Sequence, residues 1–378
     1  MTSFAERSAI LSISIAAIAT AQAAPTVVSV SVFATGTAVA ATQPDSITIG
    51  DSSVWVEYGN GAVSTGGTGN STIVQYSPSG AVEYTYSIPG LVDGLKFDPA
   101  THMVWALRNN DGNATLSLIN PATHSVSGPL MYASPYVYGA SSGRGYDDVA
   151  FLNGKVYLSY TNPMNPTDPV LQILNQGNTP SGTLTTTTLL NAQQTNPLFT
   201  SPSPTQNPPD TDSLKSTPSG ALVLTSEGDG LGPQWATSDG RFTLITNPGT
   251  ALQSVTNVRV TNGAGVNVNG MDDVLFPGAT YGTLYVANTG GNTVYRVQLA
   301  GLDPNTPIVS LGSFGEVALV NASTGVIGMP LLTGLDGPHG LAIATPEPAT
   351  WPLLLLGLGG VAVTAGRRRM GRRCGFAS

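Results

Sequence analysis

The sequence predicts an all-β fold, a six-bladed β-propeller over residues 24–345. Glycine, serine, threonine and asparagine are abundant, and only 10% of the residues are charged. No long segment repeats apolar residues with the 3.6-residue period of a helix, whereas many short runs are rich in β-branched and aromatic residues. A short motif also recurs six times at intervals that suit propeller blades with loop insertions.

The N-terminal segment, residues 1–23, has the three parts of a secretory signal peptide. Arg7 supplies the positive charge, residues 9–19 form an apolar run broken only by serines, and Ala21 and Ala23 form the small-x-small cleavage pattern. The run has no polar face, which argues against an ordinary helix at the edge of a core. We expect signal peptidase to cleave after Ala23 and the rest of the chain to be exported.

Six copies of one motif organise the chain between its two ends. In each copy an acidic residue or a histidine precedes a small or acidic residue and then an aliphatic one, and a β-patterned run follows. The copies are Asp45-Ser46-Ile47, Asp93-Gly94-Leu95, Asp147-Asp148-Val149, Asp212-Ser213-Leu214, Asp272-Asp273-Val274 and His339-Gly340-Leu341. We call the first residue of each copy its marker residue.

After each of the first five motifs come a turn and a second strand rich in aromatic and β-branched residues. These second strands contain residues 54–56, 104–106, 156–158, 222–224 and 284–286. Several copies continue with an Asn/Gly turn and a third strand, as at residues 291–295. Strands and turns that alternate at this period are typical of a propeller blade.

The last motif has no strands after it, whereas residues 26–33 and 37–42 look like strands that precede the first motif. We therefore predict that these N-terminal strands pair with the C-terminal strand and close the ring, which leaves only short, protected edges. Residues 178–212 contain a threonine run and a proline-rich stretch, and we predict a long exposed loop there.

Two segments carry a resemblance to known propellers. Residues 288–296 and 337–341 resemble NHL-type and related six-bladed propellers. The resemblance implies a six-bladed propeller, in which the blades surround a central channel.

The C-terminal region contains an apolar run and a cluster of positive charges. Residues 351–366 are uncharged and rich in leucine and glycine. As a helix this run would be about 24 Å long, barely enough to cross a bilayer. Positive charge beside an apolar segment stays on the cytoplasmic side, so we predict a single transmembrane helix with the ectodomain outside. The cluster, residues 367–373, contains Arg367, Arg368, Arg369, Arg372 and Arg373.

Pro346, Glu347 and Pro348 stand directly before the apolar run. The order Pro-Glu-Pro, apolar helix and arginine cluster closely resembles the PEP-CTERM sorting signal of Gram-negative bacteria, which we assign to residues 346–378. The resemblance implies that an exosortase cleaves near Pro-Glu-Pro and that the protein, first held in the inner membrane, reaches the cell surface or the medium. The alternative is an ordinary single-pass anchor with a chance Pro-Glu-Pro.

The charge of the exported part limits the classes of partner. Residues 24–345 contain 8 Lys and Arg against 20 Asp and Glu, a formal charge of −12. Nucleic acid is excluded, because phosphate binding needs clustered basic residues. Cys374, the single cysteine, follows the predicted transmembrane helix, so the ectodomain has no disulfide. A cation or a neutral saccharide is compatible with this surface.

The marker residues are the main candidates for chemistry. The innermost strands of a propeller begin at one face, so these six side chains are expected to converge at the mouth of the channel. Their mutual repulsion would be relieved by Ca²⁺ or a similar hard cation. In a second interpretation, which we favour, each aspartate caps backbone N–H groups of its own turn or of the next blade. The six are Asp45, Asp93, Asp147, Asp212, Asp272 and His339.

Two other segments resemble fragments of calcium loops. Residues 109–113 and 227–230 alternate oxygen-bearing side chains with glycine. Neither has the downstream acid of an EF-hand loop, so we interpret both as turns.

Two functions from different classes fit these observations. The first is a non-enzymatic binding or scaffold protein of the cell envelope or the extracellular polysaccharide matrix, with polysaccharide or envelope proteins as partners. The second is a divalent-metal-dependent hydrolase that resembles the six-bladed lactonases and polarises its substrate with an ion in the marker ring. That family uses a mixed Glu/Asn/Asp set of ligands, whereas the marker ring is nearly all Asp.

Overall fold

The computed structural model describes residues 24–133, 144–163, 165–197, 199, 211–226 and 240–345. The predicted signal peptide, with Ala21 and Ala23, and the predicted sorting signal, residues 346–378, lie outside the described residues.

The described residues form six antiparallel sheets, and the prediction of an all-β, six-bladed propeller is confirmed. In blades 1 to 4 the strands follow one another along the chain, from the innermost strand outwards. Blade 1 contains β2 (Pro44–Gly50), β3 (Ser53–Tyr58), β4 (Asn70–Tyr76) and β5 (Val82–Pro89). Blade 2 contains β6 (Val92–Asp98), β7 (Met103–Arg108), β8 (Thr115–Asn120), β9 (Ser125–Val126) and β10 (Leu130–Met131). Blade 3 contains β11 (Tyr146–Leu152), β12 (Lys155–Tyr160), β13 (Pro169–Leu174) and β14 (Thr186–Asn191). Blade 4 contains β15 (Thr211–Ser216), β16 (Leu222–Ser226), β17 (Arg241–Thr246) and β18 (Ser254–Arg259).

Blades 5 and 6 exchange strands along the chain. Blade 5 contains β19 (Met271–Leu275), β22 (Ile308–Leu311), β23 (Glu316–Val320) and β24 (Ile327–Leu332). Blade 6 contains β25 (Pro338–Ala344), β20 (Tyr281–Asn288), β21 (Thr293–Ala300) and β1 (Thr26–Thr35). The prediction that residues 284–286 form the second strand after Asp272 is therefore wrong, because β20 pairs with β25 of the next blade.

The N-terminal strand closes the ring, as predicted, but by a different pairing. Strand β1 is the outermost strand of blade 6 and pairs with β21, so it shares a sheet with the C-terminal β25 without touching it. Residues 37–42 do not form the predicted second strand, since a short 3₁₀ helix occupies Gly36–Val39. The loop predicted at 178–212 also includes β14 and a one-turn helix, α1 (Ala192–Thr195).

The hydrophobic core consists of six clusters, one at each junction between neighbouring blades. Alternate residues of a strand face opposite neighbours: Trp55 of β3 packs against blade 2, whereas Val54 and Val56 pack against blade 6. Both faces of the inner blade strands are therefore buried, which explains why these strands are apolar without alternation. No helix among the described residues is long and apolar enough to cross a membrane.

Candidate functional site

The six motifs mark the same place in all six blades, the start of the innermost strand. Each innermost strand has a β-bulge there, with one more residue than the second strand between equivalent pairs, as in Pro44↔Tyr58 and Ile47↔Val56. The bulge occurs again in each of the other blades. A bulge turns side chains out of the regular alternation, so two consecutive residues of each motif can face different surroundings.

The marker residues face one cavity at the mouth of the axial channel. Asp45, Asp93, Asp147, Asp212, Asp272 and His339 all line this cavity of about 270 Å³, which we call the acidic mouth. Among the described residues, eight aspartates line it, against two basic side chains, Lys215 and His339. The acidic mouth therefore has a large excess of negative charge.

The second residue of each motif, which we call the junction residue, contacts the next blade. Asp148 accepts a hydrogen bond from Leu214 N at 3.0 Å, and Asp273 accepts one from Leu341 N at 2.7 Å. Ser46 and Ser213 donate their hydroxyls to the next blade, to the Asp93 carbonyl and the Asp273 carboxylate. Two junction aspartates, Asp148 and Asp273, thus cap a backbone N–H group of the next blade.

Two junction residues are glycines because the next inner strand comes too close for a side chain. A Cβ atom at Gly94 would lie 2.2 Å from the carbonyl oxygen of Asp147, and one at Gly340 would lie 2.2 Å from that of Asp45. All three types of junction residue therefore fit the narrow gap between neighbouring inner strands. Serine and aspartate form hydrogen bonds across it, whereas glycine leaves room for the backbone of the next strand.

His339 is the one marker residue that is not acidic, and it pairs with both of its neighbours in the ring. Its Nδ1 atom lies 3.1 Å from Asp45 Oδ1 and 2.9 Å from Asp272 Oδ1. Asp272 and then Asp45 raise the pKa of His339 to about 12, although burial acts in the opposite direction. The imidazolium therefore serves as a built-in counter-ion for one half of the ring.

The pKa values of two marker aspartates are raised. Burial and then the nearby Asp45, Asp272 and Asp111 raise the pKa of Asp93 well above its ordinary value. Burial also raises the pKa of Asp272, and the His339 imidazolium offsets only part of that effect. Carboxyl groups of this kind gain from a bound cation, which restores their preference for the ionised form.

Amide side chains add neutral oxygen atoms to the acidic mouth, and the marker motif does not point to them. Asn110, Asp111 and Asn162 line the cavity. Asn162 Nδ2 donates to Asp111 Oδ1 at 3.0 Å, while the buried Asn110 Oδ1 accepts no hydrogen bond within the described residues. Residues 110 and 111 belong to one of the two calcium-loop-like segments, which the sequence predicts to be a turn.

A partly buried ionic network closes the floor of the acidic mouth, and sequence reasoning missed it. Lys215 Nζ lies 2.8 Å from Asp273 Oδ1 and 3.1 Å from Asp148 Oδ2, and Lys96 Nζ lies 3.3 Å from the same Oδ2. Burial alone would raise the pKa of Asp148, but Lys215 and Lys96 lower it overall. We call these four residues the channel plug. Each lysine follows its marker residue by three positions, a spacing that could have suggested a second layer along the axis.

Glu57 is a second feature that the sequence did not reveal. It is fully buried in β3, at the position opposite the bulge where blades 3, 4 and 5 have Ser159, Thr225 and Ser310. Neither carboxyl oxygen has a hydrogen-bond partner of good geometry among the described residues. Burial and then Asp45 raise the pKa of Glu57 well above its ordinary value, with partial compensation by the Ser71 hydroxyl.

Comparisons with known proteins support the prediction at the C-terminus. Residues 344–369 match the PEP-CTERM protein-sorting motif, which confirms that resemblance. The motif implies an exported protein that is anchored by its C-terminal region before sorting and is processed by an exosortase. No curated protein sequence matches the chain.

Solved structures with a similar fold share little sequence with this chain. Hydrazine synthase from Kuenenia stuttgartiensis is 10% identical, with 81% of this chain and 84% of that chain covered and a TM-score of 0.43. The periplasmic gluconolactonase PpgL from Pseudomonas aeruginosa is 11% identical, with 80% and 89% covered and a TM-score of 0.45. A Bacteroides caccae protein of unknown function is 8% identical, with 80% and 87% covered and a TM-score of 0.46. None of these similarities supports an inference about function.

Proposed function

We propose that this exported propeller is a non-enzymatic binding protein of the cell envelope or the polysaccharide matrix, and that its acidic mouth binds a hard divalent cation such as Ca²⁺. The observation that carries the proposal is the convergence of the marker aspartates from five blades on one cavity with a large excess of negative charge. Carboxylate and amide oxygens are the ligands that Ca²⁺ prefers.

The cation would act as the link to a larger ligand. Ca²⁺ takes six to eight oxygen ligands, so an ion held by a few aspartates keeps positions open for the hydroxyl or carboxylate oxygens of a saccharide. The oxygens of Asp45 and Asp272 form, with a ring nitrogen of His339, a group of ligand atoms within 4.8 Å of one another. Because the His339 imidazolium already occupies part of this group, it competes with the metal ion.

Calcium titration of the purified protein by calorimetry tests this proposal. The double variant Asp45→Asn/Asp272→Asn should lose binding, whereas His339→Gln, which removes the competing positive charge, should bind Ca²⁺ more tightly than the wild type. Asp51→Asn is the matched control, because Asp51 is exposed and follows the other end of the same strand, β2. Absence of Ca²⁺ binding to the wild-type protein, or equal binding to all four proteins, would contradict the proposal.

One observation favours the hydrolase as the second candidate function. Asn110 and Asn162 line the cavity together with the marker aspartates, so the oxygen ligands available to a metal ion are mixed amide and carboxylate groups. A metal ion there could polarise an ester or lactone carbonyl and activate water. The variants Asp147→Ala and Asp272→Ala separate the two candidates. Joint loss of bound metal and of lactonase or esterase turnover would support the hydrolase, while loss of metal without any wild-type turnover would support the binding protein.

A further inference from the structure

The channel has a second mouth at the opposite end of the six inner strands. The residues that line it follow the marker residues by two to six positions along the same strands. They enclose a cavity of about 280 Å³ to which all six blades contribute, and which we call the apolar mouth. Its wall includes Ile49, Phe97, Phe151, Phe276, Leu341 and Ile343.

The floor of the apolar mouth carries positive charge. Lys96 and Lys215 of the channel plug both line this cavity. Both amines contact the same oxygen, Oδ2 of Asp148, so the two ammonium groups are close neighbours. Asp148 and Asp273 neutralise these amines from one side, and the apolar mouth gives a ligand access to the lysines from the other.

The carboxylates of the channel plug are held by the blade junctions. Asp148 accepts backbone hydrogen bonds from Val149 and Leu214, and Asp273 accepts them from Val274 and Leu341. The carboxylates do not line the apolar mouth, whereas the lysines do. An ammonium group has three N–H donors, and Asp148 Oδ2 at 3.3 Å is the single acceptor recorded for Lys96 among the described residues. Lys96 therefore retains donors for a ligand.

We propose that the apolar mouth binds a small amphiphilic carboxylate, with its head group on Lys96 and Lys215 and its alkyl chain against the apolar wall. The cavity of about 280 Å³ has the size of roughly nine water-sized groups at about 30 Å³ each, which suits a small ligand. An eight-carbon fatty acid has a matching size. A charged head group on two amines supplies orientation, while burial of the chain supplies most of the affinity.

This second site is independent of the proposed cation site. The channel plug lies between the two mouths, and Lys215 is the only one of the described residues that lines both cavities. The two proposals can therefore fail separately.

Calorimetric titration of the purified protein with octanoate tests the inference. We expect saturable binding of octanoate, weaker binding of the neutral octanamide, and weaker binding of the shorter butanoate. Lys96→Met should weaken octanoate binding about tenfold or more, since a hydrogen bond to a charged group is lost. The matched control is Lys155→Met, which removes the one lysine of the chain that does not line the channel.

A second variant keeps the test valid if Lys96→Met does not fold. Phe276→Ala changes a partly exposed side chain at the wall and should weaken octanoate more than butanoate. The inference is overturned if octanoate does not bind, if octanamide binds equally well, or if Lys155→Met weakens octanoate as much as Lys96→Met does. Loss of octanoate binding in Asp45→Asn/Asp272→Asn would also overturn it, because that outcome would place the ligand in the acidic mouth.

Discussion

The two mouths of the channel are built from the same six strands, yet they present opposite chemistry. The acidic mouth is lined by the marker residues, most of the junction residues and the loops beside them, with eight aspartates among the described residues. The apolar mouth begins only a few residues later and is lined mainly by isoleucine, leucine and phenylalanine. The fold places six equivalent residues, one from each blade, at each height along the channel axis. The chemistry at that height therefore depends on which residue types the six blades have there.

The channel plug is what keeps the two environments apart. It places two lysines and two aspartates between them, and this network is neutral when all four groups are ionised. A ring of equal charges at that level would repel itself in a low-dielectric interior. The difference between the mouths therefore depends on a few buried residues.

Removal of Asp148 is the strongest way to break this separation. Asp148→Ala leaves both lysines without their shared acceptor and leaves Leu214 N–H unpaired, so we expect a loss of about 3–5 kcal/mol in the free energy of unfolding. Chemical denaturation measures this free energy. Asp148→Asn keeps an acceptor for Leu214 N–H and should therefore lower the free energy of unfolding by a smaller amount. If both variants lose less than about 1 kcal/mol, the plug does not stabilise the channel.

A methyl group at a junction glycine tests how closely the blades approach on the acidic side. In Gly340→Ala the new Cβ would meet the carbonyl oxygen of Asp45 at 2.2 Å, so we expect a loss of about 1–3 kcal/mol. Gly128→Ala is the matched control, because nothing lies within 4 Å of a Cβ there, and it should be nearly neutral. Equal unfolding free energies for the two variants would show that the blades adjust easily at this junction.

The pH dependence of stability tests whether burial and the nearby Asp45 keep the Glu57 carboxyl group protonated in the folded protein. The pKa of Glu57 is raised in the folded protein, so its contribution is complete below the unfolded pKa of about 4.3 and is lost as pH rises through the folded pKa. Over that range the unfolding free energy of the wild type should fall by up to about 1.4 kcal/mol per pH unit.

The variant Glu57→Gln removes this titration and should therefore melt at a higher temperature than the wild type at pH 8 and at a similar temperature at pH 4. Glu83→Gln, at an exposed position in the same blade, is the control and should keep the wild-type dependence on pH. If Glu57→Gln lowers the melting temperature at pH 8, the buried carboxylate is ionised and stabilising, contrary to the assignment.

The positions of the inner strands could be predicted from the sequence because they depend on a local repeat. All six motifs begin an innermost strand, and the first residue of each lines the acidic mouth. The different roles of the marker residue and the junction residue could not be predicted from the sequence, because they depend on the β-bulge. Sequence spacing does not show that Asp147 faces the cavity while Asp148 holds the next blade.

The exchange of strands between blades 5 and 6 could not be predicted from the sequence either. Strand β20 follows β19 at a normal distance and has the composition of a second strand, so nothing local distinguishes its true partner, β25, from its apparent one. The channel plug could not be predicted because its contacts are not local in sequence. Lys96 and Lys215 belong to different blades, and they contact Asp148 together only once the ring has closed.

The strand exchange and the closure by β1 determine the order in which the blades can form during folding. Strand β1 comes first along the described part of the chain, yet its partner β21 comes more than 250 residues later, and the inner strand of that blade, β25, comes last. Blades 1 to 4 can form as the chain emerges, but the final two blades must form together, and such non-local pairings are slow. Strand β25 ends at Ala344, where the sorting motif begins. A chain truncated within or before β25 therefore lacks both the sorting signal and the inner strand of blade 6.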